Sequence, residues 1–416
     1  MNLSFIWIFL VAVLLIFVGS GFSQSVTSVE NEFQSIPLQS KITSVQPMTG
    51  IVLWESGDNK EEGIIQMEYS YMRYNDVVKE KGIYDWSLVE KKLYSTASRS
   101  HQAILRFFDT YPGRESTVPD YIKALPDYEG IVAKSENRDT GFPDWSHPEY
   151  QRFFLEFYQK FAEKYDNDPR LAFLETGFGL WSEYHIYDPE EIPGTNFPSL
   201  DFQAKYFKQM EKVFKQTPWI ISQDAHPERR SPFASRPDLL NIKFGIFDDS
   251  FHSALKPGYN YDGWKFFGLN RFEESPAGGE ILFPNEERSD FVDSSWTKQS
   301  RNFGITFMIT AQWLRWISID RLRQHSMDCG YKFNITEFKT NENSAKIIVK
   351  NTGVAPIYYD AFVTVNGVRS TESLKFLQAG DSREFHVQSG GKKPMLTIEC
   401  DRLVPGQKID YAADLK

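Results

Sequence analysis

The sequence predicts an α/β protein in which a (β/α)8 TIM barrel is followed by a small all-β sandwich domain. Three observations lead there. From Gly50 to Gly330, short apolar runs alternate with amphipathic segments of helical periodicity. After Gly330 that periodicity stops, and short strand-like runs separated by turn residues replace it. At 416 residues, the chain suits one large domain plus a small one.

Taken in order, residues 1–23 read as a secretory signal peptide. Phe5 to Val18 is almost wholly apolar, too short for a comfortable membrane span, and small residues near Ser23 suit cleavage. Only the α-amino group is positive there, so an uncleaved anchor is the alternative. The expectation is a secreted or periplasmic protein whose mature chain starts near Gln24. Residues 24–49, polar and rich in Ser, Thr and Gln, read as a leader segment.

Residues 50–330 carry the barrel pattern. Gly50–Trp54, Ile64–Tyr71, Ala103–Phe108 and the run from Leu171 are strands, with helices over Asp85–Ser98 (Asp85 as N-cap) and Tyr150–Tyr165. Asp201–Lys215 is a helix, and Trp219–Ser222, Leu240–Phe247, Gly279–Phe283 and Ile305–Ile309 are further strands. Roughly eight strands in about 280 residues match a barrel. A doubly wound open sheet is the alternative, but no Gly-rich phosphate loop follows the first strand. In residues 331–416, strands at Tyr331–Phe338, Ala345–Asn351, Tyr358–Val365 and Met395–Cys400 are separated by turn residues such as Asn366-Gly367.

Composition narrows the function. A net charge of -10 with both signs interspersed excludes a nucleic-acid surface, which needs a basic patch. Aromatics are 15% of the chain, enough to build a core and still line a sugar-binding cleft. Cys329 and Cys400 are the only cysteines; a disulfide and two buried thiols are both open. No zinc spacing occurs, and neither a metal nor a cofactor is expected.

The stretch from Leu171 to His185 is the strongest site signal. An apolar run ends in Gly177 and Gly179, then Trp181, Glu183 and His185 fall within five residues. Barrel enzymes carry such groups at the C-terminal ends of their strands. A carboxyl held among aromatic rings has its pKa raised and can serve as a general acid.

Three phrases resemble secreted bacterial TIM-barrel proteins related to clan A, β-galactosidase-like glycoside hydrolases. Lys81-Gly82-Ile83-Tyr84-Asp85-Trp86 is similar to an "e-G-x-Y-D-W" phrase that starts the second helix. Gly179 to His185 resembles "G-x-W-G-E-W-H", and Pro276-Ala277-Gly278-Gly279-Glu280 resembles "P-x-G-G-E", in an under-characterised branch with a C-terminal β-sandwich. Clan A enzymes usually place Asn before the acid/base Glu, where this chain has Ser182.

The resemblance implies an exported glycoside hydrolase, with Glu183 as acid/base and Glu280 as nucleophile on opposed strands. Gly278 and Gly279 would let the backbone approach a ligand. Glu175 is the rival acid, and Arg106 either orients a catalytic carboxylate or forms a structural ion pair. Asp224, His226 and Asp249 close strands as candidate sugar ligands, with loop capping expected of one Asp in the pair Asp248-Asp249. Trp181, His185, Trp54 and Trp313 are candidate substrate contacts. The expected partner is a poly- or oligosaccharide. Two other readings are a non-catalytic carbohydrate-binding barrel of the cell envelope and an anchored structural protein.

Overall fold

The computed structural model describes residues 32–55, 63–251, 258–281, 296–310 and 318–416. Eight strands form one parallel sheet in chain order: β1 (Gly50–Trp54), β2 (Met67–Arg73), β3 (Gln102–Phe108), β4 (Leu171–Glu175), β5 (Trp219–Ser222), β6 (Gly245–Asp248), β7 (Ala277–Gly279) and β8 (Phe307–Ile309). β8 pairs with β1, and parallel bridges from Ala277 to Ile305 and from Glu280 to Ile309 join β7 to β8. The sheet therefore closes as the predicted TIM-like barrel.

Helices cover the outside. α1 (Ser87–Ala97) follows β2, α2 (Pro148–Tyr165) follows β3 and α3 (Leu200–Val213) follows β4. α4 (Tyr259–Phe267), α5 (Trp296–Asn302) and α6 (Ile319–Met327) follow β6, β7 and β8. α2 shows why the sequence folds so: Phe153, Phe154, Phe157, Tyr158, Phe161 and Tyr165 recur at helical spacing and all are buried. Pro148 opens it with a preset φ, and His147 Nδ1 accepts from the Glu149 amide at 3.2 Å.

Several strand boundaries differ from the sequence reading, two of them near the site. Leu240–Phe247 divides into a 3-10 turn at Pro237–Asn241 and the shorter β6. Arg271 is the reason: its guanidinium donates to the carbonyls of Leu240 (3.2 Å), Ile242 (2.6 Å) and Phe244 (2.9 Å), taking acceptors a strand would pair. β7 ends at Gly279, earlier than expected, and residues 282–283 lie outside the described residues. A hairpin between β3 and α2, Ile131–Ser135 with Arg138–Phe142, was not foreseen. Its turn residues Glu136 and Asn137 have φ of 47° and 60°, the geometry of a tight two-residue hairpin turn.

Past Gly330 the chain is β-rich, as predicted. β9 (Phe333–Thr340), β10 (Ala345–Asn351), β13 (Ser382–Val387) and β15 (Tyr411–Leu415) form one sheet in the order β13-β10-β9-β15. β11 (Ala361–Val365), β12 (Val368–Arg369) and β14 (Leu396–Cys400) form the other. Part of the expected leader belongs to this architecture: Gln34–Ser35 pairs with β9, and Leu38–Ser40 pairs antiparallel with β15. Cys329 and Cys400 are both buried free thiols.

The sandwich closes the barrel floor, and Phe33–Lys416 is one compact unit. Tyr359 donates its hydroxyl to the Ala172 carbonyl, and its ring lies 6.4 Å from Phe173 inside the barrel. Arg402 stacks on Tyr359 at 4.8 Å and donates to Leu171 O and Thr217 Oγ1, both at 2.9 Å. Among the described residues no helix is long and apolar enough to cross a membrane; the apolar run Phe5–Val18 lies outside them.

Candidate functional site

Strand periodicity builds the site. Side chains two apart share a face of a strand. Ile104, Phe173, Ile220, Phe247 and Phe307 fill the barrel interior as an apolar layer. Two residues further along their strands stand Arg106, Glu175, Ser222 and Asp249, aimed the same way at the C-terminal mouth. Glu280 stands in the same relation to Gly278, which pairs with Phe247.

Arg106 is the hub. It is 1% exposed, and its Nη1 lies 2.9 Å from Glu175 Oε1, 2.9 Å from Asp249 Oδ1 and 3.7 Å from Glu183 Oε1. Its Nη2 donates to the Ser182 carbonyl at 2.9 Å. Tyr69 donates its hydroxyl to Glu175 Oε2 at 2.6 Å, and Ser222 donates to Asp249 Oδ2 at 2.8 Å. Arg106 is therefore paired with Asp249 inside the barrel, and its second nitrogen holds the backbone of the segment that carries Glu183.

That segment is a tight elbow. Trp181, Ser182 and Tyr184 have φ of 52°, 63° and 65°, values unusual for residues with a Cβ. Close approach holds them there: a Cβ on Gly177 would lie 2.0 Å from the Ser182 carbonyl oxygen. Ser182 Oγ donates to Phe107 O at 2.8 Å, and the Trp181 amide donates to Thr110 O at 2.9 Å, tying the elbow to β3. The buried Ser182 hydroxyl thus serves the backbone of β3.

Several carboxyls share one cation, and their acidities follow. Burial, the negative Asp249 and a hydrogen bond with it push Glu183 well above the usual carboxylate range, against the pull of Arg106. Burial raises Glu175 to about 8, with Arg106 opposing and Asp249 adding. Burial and then Asp249 raise Glu280 to about 7, again against Arg106. Burial thus favours the neutral form of Glu183 and lifts Glu280 into the neutral range.

The remaining candidates divide. His185 Nδ1 lies 2.9 Å from Asp224 Oδ2 and its Nε2 3.9 Å from Glu183 Oε2, so both His185 and Asp224 join the mouth. His226 does not: its Nδ1 is engaged by the Gln223 carbonyl at 3.0 Å, and its ring packs 4.5 Å from Tyr259 at the start of α4. Asp248 is the capping partner of the Asp pair, accepting from Trp264 Nε1 at 2.7 Å and Asn260 Nδ2 at 2.6 Å, which leaves Asp249 to the site. Gly278 and Gly279 serve packing. A Cβ on them would lie 2.6 Å from the Phe307 ring and 2.6 Å from the Asp248 carbonyl oxygen, respectively. Trp313 lies outside the described residues.

Aromatic rings border the mouth in a continuous series. Trp54 lies 5.2 Å from Tyr71, Tyr71 6.4 Å from Tyr111, Tyr111 6.0 Å from Trp181 and Trp181 6.3 Å from Tyr187. Sequence reasoning found Trp54 and Trp181 but missed Tyr69, Tyr71, Tyr111, Tyr187 and Ser222. The parity of β2 and β5 relative to the apolar layer was the signal that could have found Tyr69, Tyr71 and Ser222. Among the described residues no group of three or more His, Cys, Asp or Glu side chains is placed to hold a metal ion.

The fold and site define a TIM-like barrel with a carboxyl-rich, aromatic-bordered mouth. Solved structures similar to this chain include glycoside hydrolases. One is a GH5_18 protein from Bifidobacterium longum subsp. longum in complex with Manb1-4GlcNAc, at 8% identity and a TM-score of 0.40, covering 64% of this chain and 68% of that one. Another is the endo-beta-1,4-mannanase from Thermotoga petrophila, at 8% identity and a TM-score of 0.38, covering 90% and 99%. A third is the glycoside hydrolase domain of PelA from Pseudomonas aeruginosa, at 10% identity and a TM-score of 0.37, covering 63% and 94%. Likeness this distant carries no activity or residue role to this chain. No family model matches the chain, and no curated protein matches it.

Proposed function

We propose that the protein is an exported glycoside hydrolase that cleaves a poly- or oligosaccharide, with Glu183 as acid/base and Glu280 as nucleophile. One observation carries this reading: Glu183, whose carboxyl burial makes a weaker acid and which lies 3.7 Å from Arg106, and Glu280 both feel the Arg106–Asp249 pair at one barrel mouth. Glycoside hydrolysis needs one carboxylic acid to protonate the leaving oxygen and a second, ionised, to attack or activate water. Arg106 and Asp249 position Glu183, and the rings of Trp54, Tyr71, Tyr111 and Trp181 offer faces on which sugars stack. In the same reading residues 1–23 direct export and are removed, so the mature chain begins near Gln24. N-terminal sequencing of the protein from its native host checks this; an intact Met1 on membrane-bound protein refutes it.

A second reading, a carbohydrate-binding barrel without catalysis, is favoured by one observation. Glu280 titrates at about 7, so a large fraction of it is protonated at neutral pH, where a nucleophile must be ionised. Reducing-end release from a panel of polysaccharides at pH 6 and pH 8 separates the two. Turnover that is lost in Glu280→Gln supports the hydrolase; tight sugar binding without turnover at either pH supports the binding protein.

A further inference from the structure

Beside the mouth, the unforeseen hairpin walls a second groove. It encloses about 600 Å³, within the range of small-molecule sites, and Arg114, Lys123, Tyr128, Ile131, Val132 and Asp139 line it. Its walls are fixed. The Gly141 amide donates to the Arg114 carbonyl at 2.9 Å, and a Cβ on Gly141 would lie 2.5 Å from the Ser116 nitrogen, so hairpin and loop backbones are in contact. Tyr187, on the far side of the elbow from β4, donates its hydroxyl to Glu136 Oε1 in the hairpin turn at 2.9 Å.

One residue links the groove's lining to the rings of the mouth. Arg114 lines the groove, and its guanidinium lies 4.3 Å from the ring of Tyr111, which neighbours Trp181 and Tyr71 in the aromatic series. The composition suits a sugar chain: Ile131 and Val132, 37% and 73% exposed, give an apolar edge, while Arg114, Lys123 and Asp139 offer donors and acceptors for hydroxyls. An apolar face edged with hydrogen-bonding groups is also the character of a pyranose ring.

We propose that this groove binds sugar units of the chain remote from the bond held at the Arg106 cluster, so that the protein recognises oligosaccharides of several units rather than single terminal sugars. The inference rests on the carbohydrate reading above. The test is calorimetric titration of Glu183→Gln protein with dimers and hexamers of β-1,4-glucan, β-1,4-mannan, β-1,4-xylan and β-1,4-linked N-acetylglucosamine. In at least one series the hexamer is expected to bind about tenfold or more tighter than the dimer. Adding Val132→Glu, an exposed position where the fold is unaffected, should reduce that ratio to about threefold or less while dimer binding stays. Adding Arg114→Ala should weaken hexamer binding as well. Equal binding of dimer and hexamer, or a ratio that survives both substitutions, overturns the groove proposal and leaves the carbohydrate reading standing. Failure of either length to bind in every series counts against both.

Discussion

Replacing Glu175 by Gln should change the pH dependence of stability in a direction the site dictates. Burial, with help from Asp249 and Glu280, lifts Glu175 from 4.5 to about 8, against Arg106 and the Tyr69 hydroxyl. A carboxyl whose folded-state pKa is raised holds its proton in the folded chain at pH values where the unfolded chain has lost it. Its contribution is complete below about pH 4.5 and is lost as pH rises through 8. At 1.36 kcal/mol per pH unit, a rise from 4.5 to about 8 bounds the effect at roughly 5 kcal/mol. Gln resembles the neutral acid in size and cannot ionise, so this part of the pH dependence disappears in the variant. Urea denaturation followed by tryptophan fluorescence at pH 5, 6.5, 8 and 9 measures it. At pH 5 the two proteins should lie within about 1 kcal/mol, since a carboxyl is replaced by its neutral mimic. Toward pH 9 the variant should gain on the wild type by several kcal/mol. Parallel pH curves, or a wild type that gains on the variant as pH rises, refute the assignment of a buried, neutral Glu175.

The remaining predictions concern the elbow and the acid pair. Glu183→Gln should lower turnover by about 10²–10⁴-fold on natural glycosides and much less on activated aryl glycosides, which need little protonation. Glu280→Gln should abolish turnover on both, and full activity in either variant on a confirmed substrate ends the Glu/Glu assignment. Ionisation of Glu280 near 7 makes kcat/KM rise between pH 6 and pH 8; a profile that falls across that interval removes Glu280 as the nucleophile. Gly177→Ala places a methyl 2.0 Å from the Ser182 oxygen and should cost about 1–3 kcal/mol by urea denaturation, with a larger fractional loss of activity than of folded protein. An unchanged melting curve and activity would mean that the elbow adapts freely.

Much of the fold was legible because apolar runs and helical periodicity are local. Leu171–Glu175, all five residues buried, reads as a barrel strand from composition alone, and α2 announces itself by its aromatic spacing. The boundary of β6 was not legible, because it depends on Arg271 reaching three carbonyls some 30 residues away in sequence. The site was legible in part for the same reason. Glu183, His185 and Trp181 crowd together in sequence, whereas Tyr69, Ser222 and Asp249 meet Arg106 only because four separate strands share one inward face. His226 misled because its strand-end position resembles that of Asp224, while the 3-10 turn at Gln223–Ala225 swings its ring toward α4. The glycines before Glu280 were read as room for a ligand. They are room for Phe307 and for a neighbouring carbonyl, a distinction that spacing does not encode.

The pairing of Leu38–Ser40 with β15 sets an order of events in synthesis. Leu38 is in register with Leu415 and Ser40 with Ala413, and Ser44 Oγ donates to Asp410 Oδ2 at 2.7 Å. A ribosome delivers the first of these strands well before the second, so the early one must wait, edge exposed, while the whole barrel is made. Barrel strands β1 to β8 can associate during that interval, but the sheet beneath them cannot be completed. Synthesis of β15 therefore acts as a latch. A chain stalled before β15 would have its barrel mouth and lack this fastening, and quality-control proteases would meet the unpaired Leu38–Ser40 segment as an accessible edge.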